Sequence, residues 1–349
     1  MKITIVGAGA IGGTMGAYLA RAGHEITFVD AVAEHVDAIN TRGLTVEGRD
    51  ETFTVRVPAV LPEQMRGPLE TVFLAVKTMH TDVATRAIAP HLAAAGIIVS
   101  MQNGFNEERI AAIVGRERTI GAFVNFGADY LAPGRIMYGG SGALYLGELD
   151  GRGTPRLQAL ETALRGFLPT TLATGNIWGY LWGKHAYGAM LKTTALTHEP
   201  IADVLAHPEA RPVVANVAAE VLAVAAAEGV RPEAFDGFEP LAYVFPPGRD
   251  IARMHASLDA LVAFNRKSLK ARSGIWRDLA VRKRKTEVES MVSEVRARAR
   301  QHGLRIPLVE AVGRMIAEIE AGERPMSWDN LRALADLNAE TYGAGVAHA

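Results

Sequence analysis

The 349-residue sequence contains no cysteine, which excludes a disulfide framework, a thiolate metal site and a cysteine nucleophile. It also lacks an excess of either charge: 37 Lys and Arg stand against 38 Asp and Glu, so the net charge of −1 makes no global field to gather nucleic acid or anionic lipid. The ten histidines show no paired ligand spacing, and no metal is expected. Long uninterrupted apolar runs are missing too. The most apolar stretch, Val213 to Ala227, is broken by Asn216 and Glu220, and Met1-Lys2 leads straight into a strand pattern without a charged-then-apolar export signal. These absences point to a cytoplasmic protein with no membrane or nucleic-acid partner, acting on a small molecule through local groups. At this length two domains are expected, because single cores stop growing well before it.

What the chain does have begins at once. Ile3 to Val6 is a short apolar, β-branched run; Gly7, Gly9 and Gly12 fit G-x-G-x-x-G; Thr14 to Arg21 continues as a helix; and Ile26 to Val29 is a second buried strand ending in Asp30. Strand, glycine turn, helix, strand and acid in that register form a dinucleotide-binding fingerprint. Gly7 serves the tight turn, Gly9 lets backbone approach a pyrophosphate, and Gly12 lets helix pack close to strand. The backbone of Ala10 and Ile11 opens the helix whose N-terminus faces the phosphates, and Asp30 is placed to accept from the ribose diol.

Further along, Ala33 to Thr41 reads as a helix and Leu44 to Val57 as a hairpin on the sheet edge. Thr71 to Val76 is a buried strand ending in Lys77, and Gly96 to Ser100 is another ending in Met101-Gln102-Asn103-Gly104. Ligands of open parallel sheets lie outside the carboxyl ends of the strands, so Lys77, Asn103 and Gly104 join the candidate site. Thr119 to Phe126, Arg135 to Gly147 and Thr170 to Ala173 read as strands, with a helix at Leu157 to Phe167. Beyond about residue 175 the periodicity is helical: Trp178 to Leu196, Ala210 to Glu228, Met254 to Lys270, Thr286 to His302 and Leu308 to Ala321. The basic run Arg282-Lys283-Arg284-Lys285 reads as a solvated helix end or a loop facing ligand phosphates. Hydride chemistry on a carbonyl needs a proton donor, and Lys184, early in the first helix of the second half, is a competent general acid.

In order and spacing, Ile5 to Gly12, Val76-Lys77, Gln102-Asn103-Gly104, Trp182-Gly-Lys184, Ser273 to Asp278, Thr286-Glu287 and His302 to Pro307 resemble the ketopantoate reductase family from end to end. The resemblance implies an α/β protein: an N-terminal Rossmann dinucleotide-binding domain over 1–175 and an all-helical, 6-phosphogluconate-dehydrogenase-like domain over 176–349 for substrate and dimerisation. It further implies a homodimeric NAD(P)-dependent oxidoreductase in which Lys184 is the general acid, Glu287 holds substrate, and Lys77 and Asn103 lie at the nicotinamide ribose. Gly188, Lys192, Ser273 and Asn103 fall at substrate-facing places. There the chain departs from the family, whose helix carries asparagines four and eight residues after the lysine, and whose pair of serines is reduced here to Ser273-Gly274. The alternatives are an authentic 2-dehydropantoate 2-reductase, an opine-type reductive condensing dehydrogenase, and a dinucleotide-sensing protein without turnover.

Two expectations follow. The cofactor is NAD(H) rather than NADP(H), because Asp30 repels a 2′-phosphate and Ala31-Val32-Ala33 offers no cation. The substrate is bulkier than ketopantoate, or anionic farther from the reacting carbon: Gly188 opens space beside Lys184, and Lys192, about 12 Å along the axis, acts as a substrate-facing cation in a wet cleft.

Overall fold

The apolar run at the N-terminus becomes β1 (Lys2–Val6), a central strand whose faces are both covered: Ile3 and Ile5 join one apolar cluster and Val6 another. Burial on both faces is why the strand reads as continuously apolar rather than alternating. The computed structural model describes residues 1–140, 142–267 and 271–343, and it divides into two units, Met1–Ile177 and Trp178–Ala349.

In the first unit, α1 (Ala10–Arg21) leads to β2 (Glu25–Val29), α2 (Ala33–Arg42), β3 (Leu44–Glu47), β4 (Thr52–Val55), β5 (Ala59–Val60) and β6 (Leu69–Leu74). Then come α3 (Thr81–Ile88), β7 (Leu92–Ser100), α4 (Glu107–Val114), β8 (Thr119–Asn125), β9 (Ala128–Ala132), β10 (Arg135–Tyr138), β11 (Ala143–Glu148), α5 (Pro155–Arg165) and β12 (Leu172–Ala173). The main sheet has the order β12-β11-β8-β7-β6-β1-β2-β5. From β8 to β5 its pairings are parallel, and β11 runs antiparallel to β8. The parallel part is the doubly wound order, with its switch point between β1 and β6.

Two sequence expectations need correction. The Leu44 to Val57 hairpin is not an edge of the main sheet: β3 and β4 belong to a second sheet of order β4-β3-β10-β9. The segment Arg135 to Gly147 is not one strand, because β10 pairs with β3 and β9 while β11 pairs with β8 and β12. The chain changes sheets around Gly139-Gly140, where Gly140 has φ +103°; Ser141 lies outside the described residues.

The second unit is helical: α6 (Ile177–Thr194, entering from the first unit), α7 (Ile201–Ala206), α8 (Ala210–Ala227), α9 (Ile251–Lys267), α10 (Gly274–Ala280), α11 (Val288–Gln301), α12 (Pro307–Glu320) and α13 (Asp329–Tyr342). The last three residues of the helix expected over Met254 to Lys270 lie outside the described residues, and α13 was not anticipated. By length and composition α8 could cross a membrane, but 72% of it is buried within the protein. Its polar interruptions explain why it is a core helix. The Glu220 carboxylate accepts from the Leu308 and Val309 N–H groups (2.9 and 2.8 Å) and from the Tyr342 hydroxyl (2.7 Å), and Asn216 Nδ2 donates to Asn338 Oδ1 (2.6 Å). Each takes a specific partner on α12 or α13, as buried polar groups must.

Candidate active site

The three glycines of the N-terminal turn have three different environments. Gly7 has φ +97°, and a Cβ placed on it would meet the Ala75 carbonyl carbon at 2.8 Å, so this turn lies directly against the end of β6. A Cβ on Gly12 would meet the Gly7 carbonyl oxygen at 2.1 Å, which is the close helix–strand packing the fingerprint requires. A Cβ on Gly9 would meet nothing within 4 Å. The chain thus spends a glycine where the fold leaves open space, which is what close approach of a ligand needs. From Gly9, α1 starts at Ala10 and continues through Ile11, with no side-chain cap and no acid in its first turn. Its first N–H groups are therefore the ready anion donors of a helix N-terminus.

Asp30 completes this half. Its Oδ2 accepts from the Ala8 N–H at 2.8 Å and its Oδ1 from the Val32 N–H at 2.9 Å, which fixes the carboxylate at the carboxyl end of β2 beside the turn. The outward lone pairs of both oxygens are left for a diol. Sequence reasoning missed His35 of α2, which is 1% exposed. The Gly134 N–H donates to its Nδ1 at 3.0 Å, so Nε2 carries the hydrogen and donates to the Ala8 carbonyl at 2.9 Å. Both backbone groups of Ala8 are thus held by side chains. Tyr130 packs edge-on against His35 (centroids 5.0 Å), and its phenol is pushed up by burial and by the carboxylates of Asp30 and Glu34. No sequence signal marks His35, since its partners are 27 and 99 residues away.

The loops after β6 and β7 are laced together. Thr78 Oγ1 donates to the Asn103 carbonyl (2.6 Å), which also accepts from Asn106 Nδ2 (2.7 Å), while Gln102 Nε2 donates to the Val76 carbonyl (2.9 Å) and to Thr81 Oγ1 (2.8 Å). This buried network places half-buried Lys77, exposed Asn103 and Gly104 (φ +96°) at neighbouring strand ends of the first unit. Thr78, Thr81, Gln102 and Asn106 were the overlooked members; the available signal was their position beside Lys77 and Asn103.

In the helical unit, α6 carries Lys184, Gly188 and Lys192. Lys184 is half-buried. Lys192 is not in a wet cleft: it is 4% exposed, and burial pushes its ammonium down to about 8 against the opposing pull of Glu287 and Glu294. Its side chain leans back toward the helix N-terminus, as helical side chains do. The Nζ consequently lies 3.5 Å from where a Gly188 Cβ would stand. The space beside position 188 is therefore shared with the head of Lys192, and the 12 Å axial spacing overstates how far that head lies from the next turn. Residues of α6 and valines of α8, α11 and α12 leave a cavity of about 10 Å³ beside it, room for one water at most.

Glu287 sits at the N-cap position of α11, yet its carboxylate does not cap that helix. The end is held instead by Glu320, which accepts from the Thr286 N–H (2.8 Å) and hydroxyl (2.6 Å). Ser273 is 8% exposed, and its oxygen caps α10 by accepting from the Trp276 N–H at 3.1 Å, which leaves its O–H for a ligand. In the exposed basic run, Arg282 and Arg284 both bind Asp278, at 3.2 and 2.8 Å. Among the described residues no cluster of His, Asp and Glu is arranged to hold a metal.

Comparison with known proteins gives a consistent picture. A family model described as ketopantoate reductase PanE/ApbA matches residues 3–151, and its C-terminal companion matches residues 176–320. The 2-dehydropantoate 2-reductase of Archaeoglobus fulgidus is 26% identical over 322 residues, covering 92% of this chain and 98% of its own length. The crystal structure of 2-dehydropantoate 2-reductase from Geobacter metallireducens superposes with a TM-score of 0.78 at 26% identity, over 91% of this chain and 99% of that one. The ternary structure of D-mandelate dehydrogenase with NADH and anilino(oxo)acetate shares the fold, with a TM-score of 0.79 at 21% identity over 93% and 99%.

Proposed function

The chain belongs to the ketopantoate reductase family of oxidoreductases, and on that premise we propose that it interconverts a 2-keto acid, or a related ketone, and its alcohol with NAD(H). The observation that carries the reading is the nucleotide loop: open space at Gly9, unspent N–H groups at the start of α1, and the Asp30 carboxylate fixed beside them. These residues fit a dinucleotide, which when bound supplies or accepts the hydride. The chain's own residues do the rest. Lys184 holds the proton given to the carbonyl oxygen as it gains electrons, and takes it back in the oxidative direction. Glu287, not spent on its own helix, fixes the substrate. Asp30 with no cation at residues 31–33 supports NAD(H), because a 2′-phosphate would meet a carboxylate.

An authentic 2-dehydropantoate 2-reductase is the second reading, favoured by the Archaeoglobus fulgidus relative. Gly188 and Lys192, where the family carries two asparagines, weigh against it. A cofactor-coupled screen of keto and hydroxy acids in both directions, with ketopantoate included, separates the two. Lys184→Ala should lower kcat by roughly 10²- to 10⁴-fold and leave NADH affinity near wild type. A loss of less than about tenfold would remove Lys184 from the proton-transfer role.

A further inference from the structure

His35 is a buried polar side chain that the reaction as proposed does not use. It is 1% exposed, and both of its ring nitrogens are engaged: Nδ1 accepts from the Gly134 N–H at 3.0 Å, and Nε2 donates to the Ala8 carbonyl at 2.9 Å. An apolar ring would fill the same place but leave both backbone groups buried without partners. Each end of the link is itself fixed. The Gly134 carbonyl accepts from the Thr45 N–H of β3 at 2.9 Å, and a Cβ on Gly134 would meet the Ala38 Cβ of α2 at 3.1 Å. Ala8 is fully buried, and its N–H donates to Asp30 Oδ2 at 2.8 Å. The consequence falls on the next peptide. The Ala8–Gly9 bond is trans, and in a planar trans peptide the N–H points opposite to the C=O. With the Ala8 carbonyl turned onto His35, the Gly9 N–H is turned away from α2. It belongs to the residue whose Cβ would meet nothing within 4 Å and from which α1 begins.

We propose that His35 is a positioning residue for the dinucleotide: through the Ala8 carbonyl it aims the Gly9 N–H at the pyrophosphate. The proposal rests on the dinucleotide reading of the loop. It divides the hold on Ala8 between two parts of the ligand, because Asp30 faces the ribose while His35 sets the donor for the phosphates. Affinity for the phosphate-bearing part therefore depends on the Nε2 donor, and affinity for the adenosine part does not.

Two substitutions separate the two bonds of the ring. His35→Gln puts an amide N–H near the place of Nε2 and removes the Nδ1 acceptor; His35→Asn keeps an oxygen near the place of Nδ1 and is too short to reach Ala8. NADH and ADP-ribose are titrated by calorimetry, and adenosine by ligand-observed NMR, against wild type and both variants. Both variants should lose Tm, since each gives up one buried bond. NADH and ADP-ribose should bind His35→Asn about tenfold or more weaker than wild type and His35→Gln within about threefold of it. Adenosine should stay within about threefold in both. A histidine that only ties the fold together would weaken all three ligands in step with Tm. Equal weakening of ADP-ribose in the two variants, or adenosine lost in parallel with it, overturns the proposal. A wild-type measurement stands whether or not a variant folds: the Gly9 amide proton should move downfield when ADP-ribose binds and stay in place with adenosine, and an amide that does not move overturns the proposal as well. Failure of the dinucleotide reading itself would show separately, as a wild type that binds neither NADH nor ADP-ribose.

Discussion

Replacing Asp30 by asparagine tests the cofactor reading at its most exposed point. Two backbone donors, Ala8 and Val32, aim at two different carboxylate oxygens, and asparagine has only one. Whichever way the amide turns, one N–H faces an NH₂ group, at a cost of about 1–2 kcal/mol for a partly solvated position. That loss disturbs the loop for NADH and NADPH alike, so it cancels in the ratio of their dissociation constants. What does not cancel is charge. A 2′-phosphate about 4 Å from the carboxylate would be repelled by about 4 kcal/mol per unit charge at an effective dielectric of 20, and partial exposure with salt screening reduces this to about 1–2 kcal/mol. Weakening the charged hydrogen bond to the ribose diol costs NADH about 1 kcal/mol more. The ratio of NADPH to NADH dissociation constants should therefore fall by about 2–3 kcal/mol, roughly 30- to 160-fold. Fluorescence titration of both nucleotides measures it without any substrate, and the wild-type preference should shrink at high salt. A ratio that moves less than about threefold, or a wild type that binds NADPH as tightly as NADH, refutes the placement of Asp30 at the ribose.

Gly9→Ala should leave unfolding stability within about 0.5 kcal/mol of wild type, since its Cβ would meet nothing within 4 Å, yet abolish most NADH binding; Gly7→Ala, whose Cβ would stand 2.8 Å from backbone at φ +97°, should lower the Tm itself. A Gly9→Ala protein that binds NADH normally would show that the phosphates do not approach there. Glu220 supplies a pH signature: burial pushes its carboxyl up to about 7, so the folded state holds this proton more tightly than the unfolded chain, where the ordinary value is 4.5. Its contribution is fully present below pH 4.5 and declines as pH rises through 7. Glu220→Gln should be less stable overall, because one of the Leu308 and Val309 donors loses its acceptor. It should also lose less Tm than wild type between pH 5 and 8, and parallel Tm profiles would contradict the assignment.

Much of the α/β architecture was legible because parallel strands declare themselves. The runs around Ile3–Val6, Ile26–Val29, Thr71–Leu74 and Ile97–Ser100 are apolar on both faces, and each leads into a turn or a polar loop. Sheet membership was not legible. The residues of β10 and β11 carry similar apolar content, and only tertiary pairing sends one to β3 and the other to β8. The same limit applied to Lys192. Its identity and its place on the helix are plain in the sequence, but its dryness comes from α8, α11 and α12, which the sequence of α6 does not describe. Gly188 reads as open space from its missing side chain, and only the folded helix shows that a Cβ there would meet the Lys192 Nζ at 3.5 Å, an ordinary contact. His35 had no visible signal, since a lone histidine on an amphipathic helix says nothing about a glycine one hundred residues later.

The bond from Gly134 through His35 to Ala8 has a consequence for anyone who wishes to borrow this nucleotide loop. The fingerprint occupies thirty consecutive residues and looks portable, but the carbonyl of Ala8 is steered by a helix beyond it and, through that helix's histidine, by a β-turn from a second sheet. A chimera carrying residues 1–30 into another scaffold would inherit the glycines without the strut. Conversely, insertions between β9 and β10, far from the loop in sequence, are a route by which the loop's set can be retuned without touching a single residue of its motif.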